Sequence, residues 1–225
     1  MNIEKVNAVK NYVQNFDHKN ADESKKNYEL FRIICISKFV QLLKSIDIKM
    51  VVFDFDLTII GAHSGGYIDK TNDVDNIGTS VSEHFKIFSK ALYANDIKIT
   101  VATFSDEEAI RYNKSRSSNL IAGTELVQFC IKKSKCETKI EKVYAYYPYY
   151  YKEPKKYRAL GLDKPMTNDK SYHLERIRRE FFVNIDEIIF IDDDMNNCIS
   201  ARKEGYITFN VTGKDGFNFK NIQIL

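Results

Sequence analysis

The chain has 225 residues, 44% of them hydrophobic, with 15 Phe, 14 Tyr, nine Gly and three Pro. That composition supplies core material for one large domain, or one domain with an extension, and excludes low-complexity and disordered classes. A formal net charge of +3 does not by itself imply a nucleic-acid partner. No apolar run approaches the roughly 18 to 20 residues of a membrane-crossing helix, and no signal-like apolar segment stands near residue 1, so no membrane association is expected. Four scattered cysteines, Cys35, Cys130, Cys136 and Cys198, form no Cys-x-x-Cys pair and read as the reduced thiols of a cytoplasmic protein.

Val6, Val9, Val13 and Phe16 recur at helical spacing and predict a helix over residues 4–16. After a polar break to Ala21, a second helix is expected from about Asp22, a suitable N-cap, to Ser45. Phe31, Ile34, Cys35, Phe39, Leu42, Leu43 and Ile46 would make its apolar face. Residues 1–47 therefore read as a helical extension packed on a sheet built by the rest of the chain, or as a helix pair that binds a partner or a second copy.

Residues 50–60 read MVVFDFDLTII. The four leading apolar residues have the length and β-branched content of a buried strand. Two carboxylates, Asp54 and Asp56, come immediately after, and a buried strand should not end this way unless their charge is offset. A divalent cation is the simplest partner, and Mg2+ favours carboxylates with water and phosphate. The other reading is an ordinary strand followed by an acidic turn. Residues 61–79 are polar and contain glycine, as in a loop or small hairpin. Within them His63 either touches substrate or is merely solvated. Thr79 or Ser80 then caps a helix through about Ala94, with Val81, Phe85, Phe88 and Leu92 inward.

Residues 97–104, IKITVATF, predict a second buried strand ending in Thr103, Phe104 and Ser105. The Thr103 hydroxyl and neighbouring backbone N–H groups suit a phosphate oxygen. Equally, such a threonine can serve as a helix cap. Ser105 is a further cap candidate, with Asp106, Glu107 and Glu108 in a first turn where the helix dipole favours acids. Helices are expected over residues 106–114 and 123–133, then a strand over 139–147. Residues 148–169 are basic and tyrosine-rich. Residues 132–164 hold ten Lys or Arg against four Asp or Glu, and half of the chain's tyrosines fall in 144–157. Such interleaving grips nucleic acid or an anionic substrate, or forms a solvated insertion.

Lys170 opens an amphipathic helix with Leu174, Ile177, Phe181 and Phe182 inward. A short strand over residues 187–191 runs into Asp192, Asp193 and Asp194, three successive carboxylates that repel without a cation. A helix ending at Gly205, a last strand over 206–211 and a mostly polar tail over 213–225 complete the chain. Strands alternating with helices imply right-handed crossovers and a parallel sheet. Asp54, Asp56, Thr103, Asp192 and Asp193 would then converge on one sheet edge.

DFDLT resembles the first motif of the haloacid dehalogenase (HAD) superfamily, D-x-D-x-T at the end of the first core strand. Thr103 is similar to its second motif and IIFIDD to its fourth. Lys170, 22 positions before Asp192, resembles the third-motif lysine, and Lys164, in a Lys-Pro pair, is its rival. The resemblance covers roughly residues 48–212 and looks like the magnesium-dependent phosphatase branch, which carries little or no cap. It implies an α/β fold with a Rossmann-like parallel sheet flanked by helices and no large cap domain, and it does not cover the N-terminal helical extension. It also implies Asp54 as nucleophile, Asp56 as general acid/base, and Thr103, the Phe104 backbone and Lys170 on the phosphoryl group. Mg2+ would be held by Asp54, Asp192 and the Asp56 backbone carbonyl, with Asp193 on a metal-bound water or positioning Lys170. The substrate would be a phosphate monoester, and an open site suits a large one. A nucleic-acid end phosphatase using the 148–169 insertion, and a non-catalytic HAD-like binding protein, are the competing expectations.

Overall fold

The computed structural model describes residues 2–15, 25–71, 76–113 and 119–225. Six strands make the main sheet: β1 (Met50–Phe53), β3 (Lys98–Thr103), β5 (Lys142–Ala145), β6 (Ile188–Asp192), β7 (Ile207–Val211) and β8 (Ile222–Ile224). A separate two-stranded sheet pairs β2 (Tyr67–Asp69) with β4 (Leu120–Ala122). The helices are α1 (Ile3–Gln14), α2 (Lys25–Ser45), α3 (Glu83–Ala94), α4 (Glu107–Asn113), α5 (Gly123–Lys133), α6 (Pro154–Ala159), α7 (Ser171–Phe181) and α8 (Met195–Glu204).

A strand turns successive side chains to opposite faces. Val51 and Phe53 of β1 therefore enter one hydrophobic core and Met50 and Val52 another, and β6 divides its Ile189 and Ile191 from Ile188 and Phe190 in the same way. Strands buried on both faces read as unbroken apolar runs, as parallel sheets covered by helices require. The first core takes in side chains of α1, α2, α3 and α5, and the second those of α7 and α8. The sheet order is β5-β3-β1-β6-β7-β8, parallel except for β8, which runs antiparallel to β7. Numbered along the chain, the parallel strands lie 3-2-1-4-5, the order of a Rossmann-like doubly wound sheet. Its chain direction switches between β1 and β6, where a crevice opens at the strand ends.

The polar break after residue 15 and the Asp22 cap lie outside the described residues. α2 presents Ile36, Phe39, Val40 and Leu43 to the core, an i, i+3, i+4, i+7 stripe, while Ile34 is 44% exposed rather than inward. Ser82, not Thr79 or Ser80, caps α3 by accepting the Phe85 N–H. Phe182 is 94% exposed because α7 ends there in a left-handed residue with φ 54°, which swings it outward. The stretch expected as a loop or small hairpin, residues 61–79, supplies β2, whose partner is the distant β4, and Ile68 and Ile121 pack into the main core rather than into a cap of their own. No described helix is long and apolar enough to cross a membrane.

The tail also departs from its polar reading. Phe217 and Phe219 are buried beside Phe88, with centroids 5.4 Å and 5.3 Å from its ring, and β8 extends the sheet. The tail passes so close to the loop after β1 that a Cβ on Gly61 would stand 2.8 Å from the Asp215 carbonyl carbon. Only glycine permits that approach. Replacing Phe219 by Ala should lower stability by about 3–5 kcal/mol, read as a fall in the urea midpoint with an unchanged slope.

Candidate active site

Three neighbouring strands deliver the site. Asp54 stands one residue beyond β1, and its N–H donates to Ile191 O at 2.8 Å, so its position is tied to the end of β6. Thr103 ends β3 and Asp192 ends β6. Together with Asp56, Phe104 and Asp193 they line a cavity of about 520 Å³. Lys170 arrives from the N-cap of α7 and is 1% exposed. Its Nζ donates to Asp54 Oδ1 at 2.7 Å and to Ala102 O at 2.6 Å, and lies 3.9 Å from the Phe104 ring centroid. Lys164 is exposed on the surface. Lys170 is thus the lysine the fold brings to Asp54.

One turn into α7, His173 is fully buried, with Nε2 3.2 Å from Thr103 O and 3.1 Å from Tyr146 O. Burial, reinforced by the Lys170 charge, pushes its pKa well below the ordinary value. The ring is therefore neutral and donates from Nε2 to the ends of β3 and of the strand beside it.

Asp54, Asp192 and Asp193 each offer a carboxylate oxygen within 4.8 Å of the others. Burial raises the pKa of Asp54, with Lys170 opposing. Asp192 is driven well above the ordinary value by burial and then by Asp54, and Asp193 up to about 6 by the same two causes. One backbone and one side-chain donor hold Asp192 in place: its Oδ1 accepts the Asp194 N–H at 2.7 Å and its Oδ2 the Asn197 side-chain amide at 3.0 Å. Asn210 Nδ2 donates to the carbonyls of Asp192 and Asp193 at 3.2 Å and 2.8 Å. Asp194, the third acid in the run, caps α8 by accepting the Asn196 N–H. A buried, mutually repelling set of hard oxygen donors suits a divalent cation, which these three residues could hold. The Asp56 side chain is outside that cluster.

The Thr103 hydroxyl accepts the Ser105 N–H at 3.1 Å, a cap on the turn at the cavity wall. Phe104 meets Lys170 with its ring. Asp56 is gripped from the following loop: His63 Nδ1 lies 2.9 Å from its Oδ2, and Ser64 donates to the same oxygen from N at 3.1 Å and from Oγ at 2.9 Å. Several contributors take roles that the sequence did not signal. Ser105, a cap candidate there, does not cap α4: its Oγ donates to Gly66 O at 2.6 Å and accepts the Gly123 N–H at 2.7 Å, joining the two-stranded sheet to the end of β3. Asp106, expected merely in a first turn, is 3% exposed and accepts the Glu108 and Tyr147 N–H groups. Asn197 and Asn210 are ordinary polar letters until the fold places them.

No family model matches the chain, and no curated protein matches it. Among solved structures, that of DsGPDH of Dunaliella salina is similar over 83% of this chain and 28% of its own length, with 15% identity and a TM-score of 0.46. The chain thus spans little more than a quarter of that protein.

The raised carboxylates fix a pH dependence. An acid whose folded pKa lies above its unfolded value binds more protons in the folded state, so stability falls as pH rises through the interval between the two. For Asp193 that interval runs from 3.8 to about 6. In EDTA, the melting temperature should therefore drop between pH 4 and pH 6.5, and Asp193→Asn should flatten that drop. A variant curve parallel to the parent's would contradict the raised Asp193 carboxyl, which burial and then Asp54 produce.

Proposed function

We propose that this protein is a HAD-type phosphoric monoester hydrolase that works through an aspartyl-phosphate on Asp54. The observation that carries the reading is the convergence, at the switch point of a Rossmann-like sheet, of a buried lysine 2.7 Å from Asp54 with Asp192 and Asp193 beside it. The residues that resemble the four HAD motifs stand at the ends of β1, β3 and β6 and at the start of α7, which supports the reading. Held by Asp54, Asp192 and Asp193, a Mg2+ ion would offset the negative charge that the carboxylates and the phosphoryl group bring together.

Asp54 attacks phosphorus while the ester P–O bond breaks and its electron pair leaves on the ester oxygen. Asp56 donates the proton that turns this oxygen into an alcohol. In the second half, Asp56 takes a proton from water as that water attacks the phosphorus. Inorganic phosphate leaves and Asp54 is restored. Lys170 and the groups at the end of β3 stabilise charge on the transferring oxygens. The Lys170–Asp54 contact orients the nucleophile before substrate binds.

The test is hydrolysis of para-nitrophenyl phosphate with Mg2+ and with EDTA. Activity should require the cation, and Asp54→Asn should lose at least about a thousandfold in kcat while melting as a folded protein. Absence of turnover in the parent would favour a non-catalytic binding protein. Full activity in Asp54→Asn would exclude the covalent route.

A second reading, a nucleic-acid end phosphatase, rests on Tyr149, Lys155, Arg158 and Lys164, all exposed on the insertion. On that reading, kcat/KM for an oligonucleotide bearing a terminal phosphate falls steeply with added salt, as phosphate contacts dictate. A flat salt profile would leave the insertion without that role.

A further inference from the structure

Resting on the phosphatase reading, we propose that the ester this site takes carries an uncharged, apolar organic group, an aryl or alkyl alcohol rather than a polyol or an anion, and that Leu57, Phe104 and Ile110 select it. The cavity holds about 520 Å³. One phosphoryl group fills little of that, and sites of roughly 300–1,000 Å³ enclose a whole small molecule. The sheet order gives the cavity two sides of different chemistry. On the β6 side of β1 stand Asp192, Asp193, Asp194 and Asn197. On the other side, where the chain leaves β3 and β5, stand Phe104, Ala109, Ile110 and Tyr147. Leu57 lines the cavity from the turn after β1. Its backbone is left-handed, with φ 54°, a conformation that strains a bulky residue and persists where the surroundings impose it.

The polar groups on the apolar side are already paired within the protein. Ser105 and Asp106 are each 3% exposed. Ser105 Oγ donates to Gly66 O and accepts the Gly123 N–H. The two Asp106 oxygens accept the N–H groups of Glu108 and Tyr147. A hydroxyl-rich group entering there would give up its water without equal partners in return. An apolar group gains by leaving water.

Charge points the same way. Among the described residues that line the cavity there is no Lys or Arg. The Lys170 ammonium is buried against Asp54 and Ala102 O, with the Phe104 ring 3.9 Å from it. It serves the phosphoryl end and not the organic group. A second negative charge on the substrate would therefore face Asp193 and Asp194 with no side-chain cation on the wall to offset the repulsion.

The experiment measures kcat/KM, with Mg2+, for phenyl phosphate and its para-propyl, para-carboxymethyl and para-aminoethyl derivatives, with para-nitrophenyl phosphate as the control. Apart from the nitrophenol, these phenols are of similar acidity, so the bond-breaking step is alike and the contact with the wall varies. In the parent the propyl ester should exceed phenyl phosphate by about tenfold, and both charged esters should fall at least about tenfold below the propyl ester. Ile110→Ala should remove most of the propyl advantage while changing phenyl phosphate by less than about threefold. Ile110 is half-buried, so a lysine there can extend its charged end to solvent, and Ile110→Lys should invert the order of the propyl and carboxymethyl esters. A parent that prefers either charged ester to the propyl ester, or equal losses on all esters in Ile110→Ala, would overturn the inference while leaving the phosphatase reading intact. So would a parent that hydrolyses para-nitrophenyl phosphate but not the propyl ester. If Ile110→Ala does not fold, Ile110→Lys and the parent's own order of preference decide the matter. A parent inactive on every ester would remove the phosphatase reading, and this inference with it.

Discussion

An ammonium group sealed inside a protein is tolerable only against a matched acceptor. Lys170 is 1% exposed, and its Nζ meets the Asp54 carboxylate and the Ala102 carbonyl. Removing the lysine would leave the buried carboxylates without the cation that opposes their burial, a strongly destabilising state. The pair also works against the neighbouring acids. Lys170 lowers the pKa of Asp54 that burial raises, and acts in the same direction on Asp192 and Asp193. One lysine does not balance three carboxylates within 4.8 Å. The residual repulsion is what makes the cluster receptive to a cation, as a neutral, fully satisfied network would not be.

The sheet order explains why these groups meet. In a 3-2-1-4-5 arrangement the first strand is central, flanked by the second and the fourth. Each neighbour contributes at its C-terminal end: Thr103 from one side, Asp192 from the other. Crossovers on opposite faces then leave the crevice above β1 open. The lysine comes from the helix that packs beneath the second core, so its long stem runs inside and only the charged end reaches Asp54. His173, on the same helix, fixes the backbone at the ends of β3 and of the chain after β5. A single helix therefore supplies both the charge and the splint.

Much of this was legible because the code is local. MVVF and IIFI are unbroken apolar runs, and carboxylates directly after them can lie only at strand ends. The aromatic stripe of α3 was readable for the same reason, since Phe85, Phe88 and Leu92 repeat at helical spacing. What stayed hidden depends on distant partners. Phe217 and Phe219 sit in a polar tail with no periodicity, yet they close the core against Phe88. Ser105, Asn197 and Asn210 acquire meaning only through the chain segment each faces. His63 and Ser64 lie seven and eight positions after Asp56, a separation that no helix or strand makes informative. Phe182 has the spacing of an inward helical residue, but the helix ends one residue earlier and the side chain turns to solvent.

The tyrosine-rich insertion shows how structure reassigns a compositional signal. Tyr151, Tyr157 and Met166 form a small core of their own, Lys152 donates to Met166 O at 2.8 Å, and Lys156 lies 3.8 Å from the Tyr150 ring centroid. Much of the basic and aromatic content thus holds the segment together. Its attachment to the site is Asp106, whose carboxylate accepts the Tyr147 N–H at 3.0 Å and the Tyr151 hydroxyl. The adjacent residue, Ser105, holds the two-stranded sheet through Gly66 and Gly123. Two consecutive side chains just past β3 therefore anchor two separate elements bordering the cavity. Both anchors are buried, so widening the mouth at either element would expose polar groups whose partners are lost, at a cost comparable to an unmade buried hydrogen bond. The mouth is held at a fixed width by the same strand end that presents Thr103, which couples access to the cavity to the position of Thr103.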